Sequence, residues 1–157
     1  MTSTATQATP HVVSAISGGA FRPWYYATTP DQQRKIITEL LGETAGHVFF
    51  YVWDRPAGGK DRQYPDQQFK VVYNHDYGAA HYTNGDPAHG PVGAWLAVAD
   101  DPPADPAPVA YDPWDPARVT LTPDVLLPIV QLQRLAIEYA TTGQRPVGAQ
   151  WKAVDFV

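Results

Sequence analysis

The groups with which this 157-residue chain could move protons or hold a metal are five histidines and sixteen acidic side chains. His75, His81 and His89, with Asp76 and Asp86 nearby, have the composition of a ligand set. Their spacing matches neither the H-E-x-x-H pattern nor a pair of histidines three to five residues apart. His75 and His89 fall in expected loops, and His81 alternates within an expected strand. His75 beside Asp76, or Asp112 paired with Asp115, could supply proton transfer, yet neighbours in sequence need not reach one reacting group. Gly58-Gly59-Lys60-Asp61 contains the Gly-Lys of a phosphate loop, but Asp54 stands where the first glycine belongs and Asp61 replaces the Ser or Thr. The absence of cysteine excludes disulfides, thiolate zinc sites, iron–sulfur clusters and a cysteine nucleophile. Only Ser3, Ser14 and Ser17 occur, and none sits in a G-x-S-x-G elbow. The expectation is a protein without catalysis and without a cofactor. The alternative is a small hydrolase or isomerase using His75, His81 and Asp76.

The charge is distributed unevenly. The chain carries a net charge of −5, yet residues 71–133 hold eight aspartates against Arg118 alone. The flanking segments are each weakly positive, so the whole excess lies in the middle. A field of that sign repels nucleic acid and favours basic partners. Within it, Asp100, Asp101 and Asp105 lead to Tyr111-Asp112-Pro113-Trp114-Asp115-Pro116. Prolines lower the ordering cost of a loop, and Trp and Tyr are frequent anchors at interfaces. Asp100, Asp101, Asp105, Asp112 and Asp115 are therefore the expected steering residues, and Tyr111 and Trp114 the expected anchors.

The elements that must position these groups follow from local pattern. Residues 1–10 have neither a basic start nor an apolar core, so they read as a mobile polar tail before one domain at 11–157. Nothing approaches the length of a membrane span, and a cytoplasmic location is expected. Strands are expected at 11–16, 24–27 and 47–53. Between the second and third, Thr29-Pro30-Asp31-Gln32 starts a helix with a capping box, Ile36, Ile37, Leu40 and Leu41 form its stripe, and Gly42 offers a left-handed stop. A long loop at 55–66 precedes a hairpin of 69–74 and 79–83 that turns through His75-Asp76-Tyr77-Gly78. A strand at 92–99 follows. Eight prolines between Pro102 and Pro128 then enforce a surface excursion with short strands only at 108–111 and 118–121. A second helix at 128–142 ends at Gly143, and a last strand at 147–156 carries Trp151. Two helices among antiparallel strands predict an α+β domain, a mostly antiparallel sheet with both helices packed on it.

One ordered set of residues resembles a known family. The stretch 70–74, the turn His75-Asp76-Tyr77-Gly78 and the strand Ala79-Ala80-His81-Tyr82 are followed by Val109-Ala110-Tyr111-Asp112 and Leu126-Leu127-Pro128. The second helix closes with Glu138-Tyr139-Ala140-Thr141-Thr142-Gly143-Gln144-Arg145-Pro146, and Trp151 comes five residues later. This Thr-Gly-x-Arg-Pro-x₄-Trp ending is similar to that of the first Imm family, the immunity proteins of bacterial polymorphic toxin systems. The resemblance spans about residues 67–155. It implies an intracellular protein that binds a cognate toxin domain, often a nucleic-acid deaminase, and blocks its active site. The loop at 55–66 and the early double-aromatic strand depart from typical members. An acidic face suits an inhibitor of a toxin whose cleft is basic for phosphates. A zinc deaminase needs His/Cys/Cys ligands and an H-x-E motif, which this chain lacks. Its expected partner is thus a toxin domain with a basic cleft, not nucleic acid and not a membrane.

Overall fold

The computed structural model describes residues 12–18, 23–42, 46–112 and 119–155. Its centre is one antiparallel sheet built from β1 (Val12–Ser17), β2 (Tyr25–Ala27), β3 (Gly46–Trp53), β4 (Gln67–Tyr73), β5 (Tyr77–Asn84), β6 (Gly93–Val98), β7 (Leu127–Pro128) and β8 (Gln150–Val154). The strand order is β2-β1-β3-β4-β5-β6-β8, with the two-residue β7 paired to the start of β5. Two helices, α1 (Pro30–Leu40) and α2 (Ile129–Thr142), pack on one face. The protein is α+β, as its sequence predicts.

Alternation along the strands assigns the faces. Val48, Phe50 and Val52 of β3, Phe69, Val71 and Tyr73 of β4, and Ala80 and Tyr82 of β5 meet Ile37 and Leu40 of α1 and Leu132, Leu135 and Tyr139 of α2. The intervening residues point the other way. There Val72, Ala79 and Leu96 are covered by Val109, Tyr111, Leu121, Val125 and Leu126 of the proline-rich segment. One sheet therefore has two unlike covers, helical on one side and irregular on the other.

Local chemistry sets most of the boundaries. Thr29 caps α1 through its hydroxyl, which accepts from the Gln32 amide at 3.2 Å, while Gln32 Oε1 accepts from the Thr29 amide at 3.3 Å. α2 ends as expected at Gly143, whose φ of 69° lets its N–H reach the Tyr139 carbonyl at 2.7 Å. The end of α1 differs from expectation. The chain leaves through Leu41 at φ −86°, and Gly42 is not left-handed. Its N–H bonds the Glu39 carbonyl instead, a tightened last turn that needs no glycine conformation.

The hairpin also turns earlier than its composition suggests. Asn74 Oδ1 accepts from the amides of Asp76 and Tyr77, both at 2.9 Å, so the turn is complete before Tyr77 and Gly78. Gly78 belongs to β5, opposite Tyr73. It is glycine for want of space: a Cβ there would lie 2.4 Å from the Val72 carbonyl oxygen and 2.9 Å from Leu132 Cδ1. Gly78→Ala should strain the β4–β5 pairing, crowd Leu132 of α2 and lower stability by about 1–3 kcal/mol, the usual scale for overpacking. Urea denaturation checks this, and an unchanged midpoint would mean that the hairpin is not tightly packed at Gly78.

The strands expected at 108–111 and 118–121 contract to one bridge between Ala110 and Thr120. Proline withholds the donors from which a longer ladder would be made. Thr122-Pro123-Asp124 opens a single 3-10 turn over Pro123–Val125, and α2 begins only after Pro128. The last strand is shorter than expected, from Gln150 to Val154. Among the described residues no helix is long and apolar enough to cross a membrane.

Candidate interaction surface

The acidic segment leaves the sheet after β6 and returns before β7. Its two ends meet where the Ala99 N–H donates to the Asp124 carbonyl at 2.8 Å. Between them, the Leu121 N–H reaches the Val109 carbonyl and the Tyr111 N–H reaches the Val119 carbonyl, both at 3.3 Å. These cross-links lay Val109, Tyr111 and Leu121 onto the sheet and leave Asp100, Asp101, Asp105 and Thr120 exposed.

Tyr111, expected as an exposed anchor, is one of the residues turned inward and is 6% exposed. Its hydroxyl lies 3.0 Å from His81 Nδ1, and the two rings meet edge to face. The Lys70 ammonium sits 3.8 Å above the Tyr111 ring and 5.4 Å from that of Phe49. A desolvated cation–π contact contributes about 2 kcal/mol, less than the several needed to bury an ammonium. The nearby Asp112 carboxylate supplies further compensation: burial lowers the Lys70 pKa, and Asp112 raises it. His47, also buried, is held below the usual histidine range first by burial and then by Lys70, with Asp112 opposing.

A measurable pH dependence follows. A histidine whose folded pKa is depressed takes up its proton more readily when unfolded, so stability falls as the pH drops through the unfolded value near 6.5. The melting temperature should therefore be lower at pH 5 than at pH 7.5, and His47→Gln should narrow that gap. A gap of unchanged size in the variant would remove His47 as its source.

Asp100, Asp101 and Asp105 are exposed and make no ion pair among the described residues. Asp112 is half-buried beside Lys70 and His47. Trp114 and Asp115 lie outside the described residues. Elsewhere in the acidic stretch, Asp124 bonds Lys152 Nζ at 2.7 Å and accepts from the Thr122 hydroxyl, which together hold its pKa below the usual carboxylate range. Asp86 caps the short turn Pro87–His89, its carboxylate 3.7 Å from His89 Nε2. Among the described residues, the exposed acids of the 99–124 segment without an ion pair are thus Asp100, Asp101 and Asp105, while Asp76, also exposed and in no ion pair, stands apart at the hairpin turn.

His75 and Asp76 occupy the tip of the hairpin, whereas His81 is buried under Tyr111. The structure does not bring them to a common reacting position. No group of three metal-ligating side chains is present among the described residues.

The Thr-Gly-x-Arg-Pro-x₄-Trp ending acts as a latch between α2 and β8. Thr142 Oγ1 accepts from the Gln144 amide at 3.1 Å, and the Arg145 guanidinium covers the Trp95 ring at 4.8 Å. Trp151 Nε1 donates to the Pro146 carbonyl at 2.7 Å while its ring packs against Phe69 and Tyr82. Glu138, a helical residue with no special signal in the sequence, accepts from the amides of both Val147 and Gly148. A second unanticipated feature is a group of rings, Trp24, Tyr26, Tyr51 and Tyr64, gathered beside the 55–66 loop. Only the aromatic run Trp24-Tyr25-Tyr26 hinted at it.

No family model matches the chain, and no curated protein matches it.

Proposed function

We propose that the protein is an immunity protein, a non-catalytic inhibitor that binds a cognate toxin domain and occludes its active site. The observation that carries this reading is the trio Asp100, Asp101 and Asp105, exposed and without an ion pair among the described residues on a proline-stiffened segment. A domain that processes nucleic acid, a deaminase or a nuclease, needs a cationic cleft to hold phosphates. An acidic projection of low ordering cost is complementary to such a cleft, accelerates encounter with it and fills it. The two act together in the cytoplasm of the producing bacterium, where the toxin's substrate lies.

The burial of Tyr111 shifts its role within this reading. It fastens the acidic segment to the sheet, so the segment meets a partner already shaped. The hydrolase alternative has no comparable support, because His75, Asp76 and His81 do not converge.

The reading predicts that a neighbouring reading frame encodes a toxin domain; expressed alone that domain should arrest growth, and expressed with this chain it should be neutralised. Persistent arrest, with both proteins present at comparable levels, would end the immunity reading.

A further inference from the structure

The sheet ends in two edges that are not alike. β2 has three residues and offers a partner little to pair with. β8 has five, and among the described residues its one neighbour is β6. That pairing runs without a bulge from Ala94 and Val154 to Val98 and Gln150, and β8 contains no proline. Among the described residues its outer backbone donors and acceptors therefore lack a strand, the situation that natural sheets blunt with a bulge, a proline or a charged lysine. A lysine is present, but Lys152 Nζ is engaged by Asp124 at 2.7 Å. The entry to the strand is also held in place, since the amides of Val147 and Gly148 both donate to the Glu138 carboxylate. The edge is open, unbroken and ordered in advance.

We infer that β8 is a dimerisation edge, on which the β8 of a second copy pairs antiparallel about a two-fold axis at Lys152 and joins the two sheets into one. The inference stands apart from the immunity reading. An open strand edge takes a strand as its occupant, and the sequence of β8 is complementary to itself. Opposed residues of a sheet share a face, so a symmetric pair must centre on a residue. Centring on Lys152 pairs all of Gln150–Val154. Centring on Trp151 would oppose two indole rings, and centring on Ala153 would set Trp151 against the Asp155 carboxylate. About Lys152, Trp151 instead meets Ala153 of the second copy, large against small, and Gln150 meets Val154. Charge agrees with this register. The two lysines that face each other at the axis are each neutralised by Asp124 of their own chain. Beside the edge lies a hollow of about 510 Å³ lined by Arg145, Pro146, Ala149 and Trp151, with the 91% exposed Val147 on its wall. The same register carries Asp155 of the second copy opposite Ala149, to the hollow that Arg145 lines. Within one chain neither Arg145 nor Asp155 makes an ion pair among the described residues.

A five-residue strand pair buries far less than a standard interface of about 1,600 Å², so the dimer forms at roughly tens to hundreds of micromolar. Sedimentation of the full chain over that range should show a reversible monomer–dimer equilibrium. Asp155→Arg places like charges at the hollow and should raise the dissociation constant by about tenfold or more, while Arg145→Asp added to it should recover most of the affinity. Asp155 is exposed, so the melting temperature of the single variant should not move. Because the chain has no cysteine, the register is also readable covalently. Directly opposed residues have Cα atoms about 4.5–5.5 Å apart, within the span of a disulfide. Lys152→Cys should therefore link into a covalent dimer under mild oxidation, whereas Gln150→Cys, opposite Val154 of the second copy, should not. A wild-type chain that stays monomeric throughout the range, or cross-linking through Gln150→Cys as efficient as through Lys152→Cys, would overturn the proposal. A monomer whose β8 amides exchange more slowly once a toxin domain is added would give the edge to a strand of that partner instead, and the proposal would fall while the immunity reading stood.

Discussion

Replacing Asp100, Asp101 and Asp105 with lysine should slow association with the proposed toxin partner by tenfold or more at low salt. The substitution reverses the sign of the exposed, unpaired charge on the segment, and steering contributes factors of about 10 to 1,000 to such rates. Dissociation should change far less, because exposed charges at a rim contribute little once the partners are docked. The difference between variant and wild type should shrink as salt shortens the Debye length to about 8 Å at 0.15 M. Stopped-flow mixing at several ionic strengths reads all three quantities. Stability offers a control, since the three carboxylates make no ion pair among the described residues and the melting temperature should hardly move. Equal association rates at every salt concentration would remove electrostatic steering from the mechanism.

Phe69→Ala should be the most damaging single substitution for folding. The Phe69 ring is fully buried, stacks on Tyr139 at 5.2 Å and meets Trp151 and Phe50 at 6.4 and 6.5 Å. It therefore joins β3, β4, α2 and β8 at one point. Removing a buried phenylalanine costs about 3–5 kcal/mol, a large part of the ~5–15 kcal/mol available to an ordinary domain. Denaturant titration should show that loss, with Phe69→Leu recovering at least half of it by refilling the volume. A loss below 1 kcal/mol would mean that the helices and the sheet are not coupled through this ring.

How much of this was legible in the sequence depended on the range of the interactions involved. The capping box at Thr29 and Gln32 and the stop at Gly143 rest on atoms within four residues of one another, so local composition sufficed. Gly42 misled because a glycine after a helix has two uses, and only the carbonyls actually available at the end of α1 decide between them. Gly78 misled because its lack of a side chain serves close packing and not a turn: the Val72 carbonyl and the Tyr73 Cβ of the paired strand crowd it first, and Leu132 of α2 after them. Tyr111 shows the limit most clearly. Its acidic, proline-rich surroundings describe a surface loop, and its neighbours Asp100, Asp101 and Asp105 are indeed outside. Its own side chain turns inward because Lys70 and His81 stand beneath it on strands that no local pattern connects to it. The exposure of Val147 was harder still to read. Val147 reads as any other valine, and its outward position depends on the Glu138 carboxylate reaching across from α2.

The single hydrogen bond from Ala99 to Asp124 has a consequence for how such a protein can diversify. The acidic segment departs and returns at the same point on the sheet, so what lies between is an insert whose ends stay put whatever it contains. Doubling the length of a flexible loop costs only about 0.6 kcal/mol in closure entropy. Sequence and length between those two residues can therefore drift widely, provided that something still takes the place of Val109, Tyr111 and Leu121 on the sheet. The scaffold could stay unchanged while the insert is exchanged like a cassette, which under the proposed immunity role would mean one version for each adversary.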